Sequence, residues 1–323
     1  LILFVFISLY YFRQSSIGTD TLNYIPIFQD IIRSHNIVEY SFDKNVEIGF
    51  SVAVYFLSLF YNNYFFIFAG LTSIVYINLI VAINNFKLNN VLFFASLFCV
   101  FQIYFYSFNI LRQAIALSFV ILAVSYLFKN NNKKFLVLCF MAFLFHYSSI
   151  FVFLFFFVYK FREKIAKYWY ISVFGSLFVL DFLFNFLITS YDKYNVYDVA
   201  DDITSSGGIF INLFYILAFS FSVYIKKKIF CMTTEFYFFL ALFGFYISLI
   251  LFFLTSPFLN QAMVRISLYF SWSSVFIILI IFKNIRNNNM RYIINCCYYI
   301  FLFAFTAYYL SNAGYEVVPY RFR

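Results

Sequence analysis

Residues 91–128, VLFFASLFCVFQIYFYSFNILRQAIALSFVILAVSYLF, form an apolar run in which Arg112 is the only charged residue. A membrane-spanning helix needs about 20 apolar residues, so the run predicts two crossings, 91–110 and 111–128. A guanidinium keeps its charge at neutral pH, and placing it at membrane depth costs about 2.5–3.5 kcal/mol even on the mildest insertion scale. Arg112 is therefore the first candidate for a functional residue.

The composition of the whole chain is that of a polytopic membrane protein. Hydrophobic residues make up 65% and charged residues 11%, whereas a soluble domain carries about 25% charged residues. The fold class predicted is all-α, a transmembrane helical bundle in one domain, 1–323. A Rossmann fingerprint, a P-loop and a HExxH motif are absent from the sequence, which disfavours nucleotide-driven and zinc-hydrolase functions. The five cysteines lack metal-ligand spacing, and we predict no metal and no cofactor.

The positions of lysine and arginine predict the orientation, because short cytoplasmic loops are enriched in them. Five basic connectors hold 14 of the 22 basic residues and only two of the 13 acids. Placing these connectors in the cytoplasm leaves loop 13–47, loop 189–208 and tail 311–323 outside. The first run starts at residue 1 without a signal-peptide pattern, so we expect a span whose beginning is missing. The nine predicted spans are 1–12, 64–83, 91–110, 111–128, 168–188, 209–225, 236–254, 266–282 and 292–310.

Two apolar stretches do not fit a simple span. Residues 135–159 have basic flanks on both sides, yet each half is only about half the length of a span. We predict a re-entrant or short-helix hairpin with His146 at its tip. Residues 48–60 predict a short helix at the outer interface. Irregular backbone at membrane depth must be buried in protein or line a polar cavity, so both stretches indicate a cavity that opens outward.

The external loop 13–47 contributes two candidate carboxylates, Asp20 and Glu47. Thr19 or Asp20 is a plausible N-cap of an amphipathic helix, on which Asp20, Asn23 and Tyr24 would share one face. Glu47 is the next carboxylate to meet the membrane surface. The alternatives are an ordinary capped interfacial helix and a solvated anchor. The apolar side of the predicted helix is Leu22, Ile25, Phe28 and Ile32.

Arg112 has polar neighbours in the sequence. Asn109 and Gln113 would lie close to it on the helix and form a polar patch at the outer end. Arg265, with Gln261 one turn earlier, repeats the pattern on another external connector. The alternative for both arginines is snorkelling to the lipid headgroups.

These residues together suit transfer from a membrane-anchored diphosphate donor. Arg112 and Arg265 could bind the diphosphate and stabilise its developing charge. His146 or Asp20 could take the proton of an acceptor hydroxyl, and Glu47 could position a sugar hydroxyl. For His146 the alternative is a hydrogen-bonded packing residue.

Five segments carry a resemblance to a known family, and their order covers nearly the whole chain. They are GTD at 18–20 followed by Tyr24, EIGF at 47–50, YSFNILRQAIA at 106–116, FHYSS at 145–149 and VPYRF at 318–322. In these segments the sequence resembles the EpsG-like family of polysaccharide polymerases, which are related in role to Wzy-type O-antigen polymerases.

The resemblance implies a multi-pass enzyme of the bacterial plasma membrane, acting at its external face. Such proteins join oligosaccharide repeat units carried on undecaprenyl diphosphate into capsule, exopolysaccharide or O-antigen. It allows an architecture similar to the GT-C membrane glycosyltransferases, and it places family motif residues at Asp20, Glu47, Arg112 and His146. The expected partners are the lipid-linked oligosaccharide, the bilayer, a chain-length regulator and a flippase, and no nucleic acid.

Two other functions remain open from the sequence. One is a different polyprenyl-linked glycosyltransferase or an O-antigen ligase. The other is a transporter of the lipid-linked unit, which predicts inverted repeats, although no convincing second copy of the Arg112 or His146 segment is present.

Overall fold

A computed structural model of the chain describes residues 20–88, 107–177, 206–228, 233–255 and 261–311 with single positions 8, 11, 12, 18 and 96. The regular secondary structure of these residues is helical, with short connections between the helices. The chain divides into two compact units, each described here by itself. One consists of Leu1–Phe153 with Arg286–Arg323, and the other of Leu154–Ile285.

The first unit begins with six α-helices and a 3-10 helix. These are α1 Thr21–Arg33, α2 Ile37–Asp43, α3 Ile48–Phe60, α4 Tyr64–Phe86, α5 Leu111–Leu127, α6 Asn132–Phe145 and the 3-10 helix Tyr147–Leu154. The second unit contains α7 Phe155–Lys167, α8 Ser206–Lys228, α9 Thr234–Thr255, α10 Gln261–Ser271 and α11 Ser273–Lys283. The last helix, α12 Asn288–Ser311, belongs to the first unit.

Two hydrogen bonds between α4 and α5 fix the direction of these helices. The Asn78 amide donates to the Ser118 hydroxyl at 3.0 Å, and seven residues later in both helices the Asn85 amide donates to the Ser125 hydroxyl at 2.8 Å. Equal steps along both sequences mean that the two helices run parallel. This agrees with the predicted topology, in which both cross from outside to inside; the predicted span 91–110 lies mostly outside the described residues.

Helices α5 and α6 form an antiparallel hairpin with a tight turn. Lys129 and Asn131 both donate backbone N–H groups to the carbonyl of Tyr126, and Asn130 has a left-handed φ of 56°. The Asn131 side chain then caps α6 at the backbone N–H of Lys134. The beginning of α5 and the end of α6 therefore lie at the same end of the hairpin.

The predicted break at His146 is present. Helix α6 ends at Phe145, and His146 is extended, with φ −160° and ψ 117°, while its N–H still bonds to the Ala142 carbonyl. The 3-10 helix follows at once. Residues 48–60 also form the short helix that the sequence predicts, and α3 has only 13 residues.

Two glycines allow the site-bearing segments to approach each other closely. A Cβ on Gly49 of α3 would lie 2.8 Å from the carbonyl oxygen of Leu144 in α6. A Cβ on Gly18, whose φ is +87°, would lie 2.8 Å from the carbonyl oxygen of Phe108. No side chain larger than hydrogen fits such backbone contacts, so these glycines set the distance of closest approach.

The amphipathic helix predicted after Asp20 exists as α1, but its buried face is different. The buried residues are Thr21, Tyr24, Phe28 and Ile31, whereas Leu22 is 61% exposed. Asn23 is exposed too, so it does not share a face with Tyr24. The Tyr24 and Phe28 rings pack on Phe50 and Phe68. These aromatic contacts, rather than the number of aliphatic residues on the predicted face, decide which side of α1 is buried.

The second unit is built around a buried aromatic core. Trp272 and Phe276 are fully buried, and the Phe276 ring stacks on Phe239 at a centroid distance of 4.5 Å. The indole N–H of Trp272 donates to the Tyr269 carbonyl at 2.7 Å. This bond satisfies the polar group of a buried tryptophan, and it lies where α10 meets α11.

Four helices of the described residues are long and apolar enough to cross a membrane: Tyr64–Phe86, Thr234–Leu254, Arg265–Lys283 and Asn288–Tyr308. They coincide with the predicted spans 64–83, 236–254, 266–282 and 292–310. The predicted spans 111–128 and 209–225 fall on shorter apolar helices. The spans 1–12 and 168–188 lie wholly or partly outside the described residues, as do loop 189–208 and tail 311–323, so the count of nine stays a prediction.

We expect Gly49→Ala to lower the melting temperature of the purified protein, because the added methyl group would meet the Leu144 backbone. Overpacking of this kind costs about 1–3 kcal/mol. Gly175→Ala is the matched control, since a Cβ there would meet nothing within 4 Å. Equal melting temperatures for the two variants would show that α3 and α6 do not touch at Gly49.

We expect Asn78→Ala and Ser118→Ala to be coupled in a double-mutant cycle of unfolding, by about 0.6 kcal/mol, the average for hydrogen bonds between membrane helices. Asn78 with Ser125 is the control pair, because Ser125 bonds to Asn85 instead. Equal coupling in both pairs would contradict the parallel register.

Candidate active site

The carboxylate of Glu47 lies between two basic side chains. Oε2 accepts a hydrogen bond from Arg112 Nη1 at 2.5 Å, and Oε1 lies 2.6 Å from His146 Nδ1. Glu47 occupies the N-cap position of α3 but makes no side-chain cap. Its carboxylate is therefore available to the residues from α5 and from the end of α6.

The electrostatics of this trio favour an ionised carboxylate. Burial by itself would raise the pKa of Glu47, but the hydrogen bond from His146 and the charge of Arg112 outweigh it, and the pKa is lowered. An ionised carboxylate only accepts hydrogen bonds. His146 then donates from Nδ1, and when the ring carries no second proton Nε2 is an acceptor.

The three side chains differ in exposure. The Glu47 side chain is 5% exposed, against 28% for Arg112 and 18% for His146. A molecule that approaches the site therefore meets the guanidinium and the imidazole, and the carboxylate lies behind them. This arrangement can hold an anion at Arg112 and a hydroxyl at His146 simultaneously.

Tyr24 lies on the protein side of Arg112 and supports it. The Tyr24 phenol interacts electrostatically with Arg112, and the guanidinium carbon lies 5.9 Å from the centre of the Phe50 ring. Tyr24 is only 5% exposed, and burial raises the pKa of its phenol. The sequence analysis assigned Tyr24 to substrate binding, whereas the geometry favours a role in orienting Arg112.

Asn109 and Gln113 are both buried, with exposures of 4% and 2%, and their predicted polar patch with Arg112 stays a prediction. The Asn109 side-chain oxygen is 3.1 Å from the position of a Cβ on Gly18. Both amides thus face the protein interior.

Asp20 and Arg265 are the two other charged residues that the sequence assigns to the site. Asp20 is the N-cap residue of α1, and its backbone carbonyl accepts the N–H of Tyr24 at 3.0 Å. Its side chain makes no cap hydrogen bond. Its charge contributes to raising the pKa of Tyr24. Arg265 lies in α10 of the second unit, so its predicted position beside Arg112 stays a prediction.

The sequence analysis missed the aromatic cluster of Phe28, Phe50 and Phe68 behind Arg112. Phe50 is fully buried, and it follows Glu47 by three residues, about one helical turn. That spacing was the available signal, but in a chain with 55 phenylalanines it did not stand out.

These findings define an all-helical membrane protein that holds a buried glutamate between an arginine and a histidine. The chain belongs to the EpsG family, whose family model matches residues 1–322. The resemblance seen in the five sequence segments is therefore confirmed. Membership indicates a polysaccharide polymerase-like membrane protein. No curated protein and no solved structure matches the chain.

We expect Glu47→Gln to destabilise the protein by about 1.5–3 kcal/mol, because the neutral amide loses the charge-assisted hydrogen bond to Arg112. The effect should depend on pH. Since the folded pKa of Glu47 lies below its unfolded value, the stabilisation is complete above the ordinary carboxyl pKa and is lost as the pH falls through the folded pKa.

Melting temperatures of wild type and variant, measured from neutral pH down to about 3, should therefore converge on the acid side. Glu39→Gln is the control, because Glu39 is exposed on α2. A constant difference between wild type and Glu47→Gln over the whole range would contradict an ionised Glu47.

Proposed function

We propose that the protein is a repeat-unit polymerase that joins oligosaccharides carried on a polyprenyl diphosphate into a longer glycan at the external face of a bacterial plasma membrane. The observation that carries the proposal is the shared carboxylate of Glu47, which holds Arg112 and His146 side by side with both partly exposed. The EpsG family match supports the same class of activity.

His146 is the proposed general base. Glu47 fixes the ring through Nδ1, so Nε2 can accept the proton of a sugar hydroxyl as the hydroxyl oxygen attacks. A carboxylate behind the ring also stabilises the imidazolium that forms when the proton arrives, as it does in carboxylate and histidine pairs of hydrolases.

Arg112 is the proposed diphosphate ligand. One guanidinium nitrogen, Nη1, is used by Glu47, and the guanidinium group has five N–H donors. As the bond between the anomeric carbon and the diphosphate oxygen breaks, negative charge grows on the leaving diphosphate. A partly exposed guanidinium can stabilise that charge, and no nucleotide is needed because the donor itself carries the activated bond.

We propose for Glu47 a role different from the sugar contact that the sequence suggested. Both of its oxygens face protein groups and its side chain is almost inaccessible, so it acts here as the positioning residue for Arg112 and His146. Asp20 is the second candidate base and Arg265 a second diphosphate ligand. Both assignments rest on the sequence argument.

We expect His146→Ala to reduce polymer formation from a purified lipid-linked repeat unit by about 10²–10⁴-fold, the usual contribution of general base catalysis. Arg112→Lys should also be strongly impaired, because lysine keeps the charge but lacks the planar fork that binds phosphate. The matched controls are His35→Ala and Arg33→Lys, since Arg33, the last residue of α1, and His35, two residues later, are both exposed.

Chain-length ladders give the readout that separates the alternatives. A polymerase leaves single-unit products when it is inactivated, whereas a ligase leaves long chains on the carrier lipid. Full-length polymer from His146→Ala or Arg112→Ala at normal expression would contradict the proposed roles.

A further inference from the structure

Tyr147 directly follows His146 and has an exposed ring. It begins the 3-10 helix Tyr147–Leu154, and the backbone N–H of Ser149 bonds to the His146 carbonyl at 3.0 Å, which holds this turn close to the histidine. The Tyr147 ring is packed on one side by Phe143, at a centroid distance of 5.4 Å. The residue nevertheless remains 43% exposed.

The Tyr147 phenol is also electrostatically coupled to the trio. Partial burial and the charge of Glu47 raise the pKa of Tyr147, and Arg112 acts in the opposite direction. Tyr40 of α2 shows a related coupling: burial and the charge of Asp30 raise its pKa, and Arg112 acts in the opposite direction. Two tyrosines from separate segments therefore lie within range of the Arg112 charge.

Exposed aromatic rings are common in this chain, so exposure alone does not distinguish Tyr147. Tyr61 is 52% exposed and packs on Phe66 at 5.7 Å, much as Tyr147 packs on Phe143. Tyr61 follows the far end of α3, however, about 20 Å along the helix from Glu47 at a rise of about 1.5 Å per residue. Tyr147 combines the exposed ring with a position next to the base.

A tyrosine supplies a flat apolar body with a polar tip. A pyranose ring has the complementary surface, with an apolar C–H face and a rim of hydroxyl groups. A sugar that lies on the Tyr147 ring would have its rim hydroxyls near the neighbouring His146. Phe143 behind the ring would limit its rotation and so lower the entropy lost on binding.

We propose that Tyr147 is the acceptor subsite, on whose ring the terminal sugar of the acceptor oligosaccharide stacks while one hydroxyl reaches His146. The inference rests on the proposed function, since it names the sugar contact of the same site. It assigns acceptor recognition to an exposed aromatic ring, and it leaves diphosphate recognition to Arg112.

The test is a kinetic comparison of Tyr147→Ala and Tyr147→Phe in the purified polymerisation reaction, with the acceptor varied at saturating donor. We expect Tyr147→Ala to raise KM for the acceptor about ten-fold and to change kcat by less than about two-fold, which corresponds to the size of one aromatic contact. Tyr147→Phe keeps the stacking surface and should stay within about two-fold of wild type. Tyr61→Ala is the matched control.

A second measurement separates this inference from the proposed function. Binding of a free, lipid-less repeat-unit oligosaccharide to wild type and Tyr147→Ala is followed by native mass spectrometry. Weaker binding by Tyr147→Ala supports the subsite, whether or not the wild type makes polymer. Absence of polymer from the wild type would overturn only the proposed polymerase activity. Equal binding by both proteins, or a fall in kcat without a change in KM, would overturn the subsite whether or not polymer forms.

Discussion

The site depends on the burial of one carboxylate. An ionised Glu47 with a side chain 5% exposed would be too costly without partners, because removing a charge from water costs several kcal/mol even after relaxation. Arg112 and His146 compensate this cost, one at each oxygen. Because these partners come from the beginning of α5 and the end of α6, the carboxylate also joins α3 to the hairpin of those helices.

Three further features of the first unit help to hold Glu47 in contact with Arg112 and His146. The tight turn after α5 brings Arg112 and His146 to the same end of the hairpin. Gly49 lets α3 approach the Leu144 backbone closely enough for Glu47 to reach the histidine. The parallel hydrogen bonds from Asn78 and Asn85 then fix α4 along α5. Local sequence features of this kind, rather than hydrophobicity, set the geometry in a chain that is apolar nearly throughout.

The features predicted correctly from the sequence are those whose free-energy cost in a membrane can be recognised within one short segment. An arginine in a long apolar run and a break in a run too short to span are visible without a structure, and both lie at the site. The predicted buried face of α1 was wrong at Leu22, which is exposed. Leu22 counts as apolar in a helical pattern, but aromatic rings on other helices decide which residues of α1 are buried. The pairing of Glu47 with both basic residues was also not predicted, since it depends on contacts between segments 65 and 99 residues apart.

The shared carboxylate has a consequence for the chemistry. In the proposed mechanism, donor binding at Arg112 and acceptor activation at His146 are different tasks, yet one carboxylate contacts both side chains. Loss of Glu47 would therefore impair both tasks together, and the effects of substitutions in the trio would not add, as in other sites whose residues act as a unit. A polymerase must align two lipid-linked substrates for every bond formed. A common carboxylate ties the position of the proposed diphosphate ligand to the position of the proposed base, so that in this mechanism neither substrate would be oriented independently of the other.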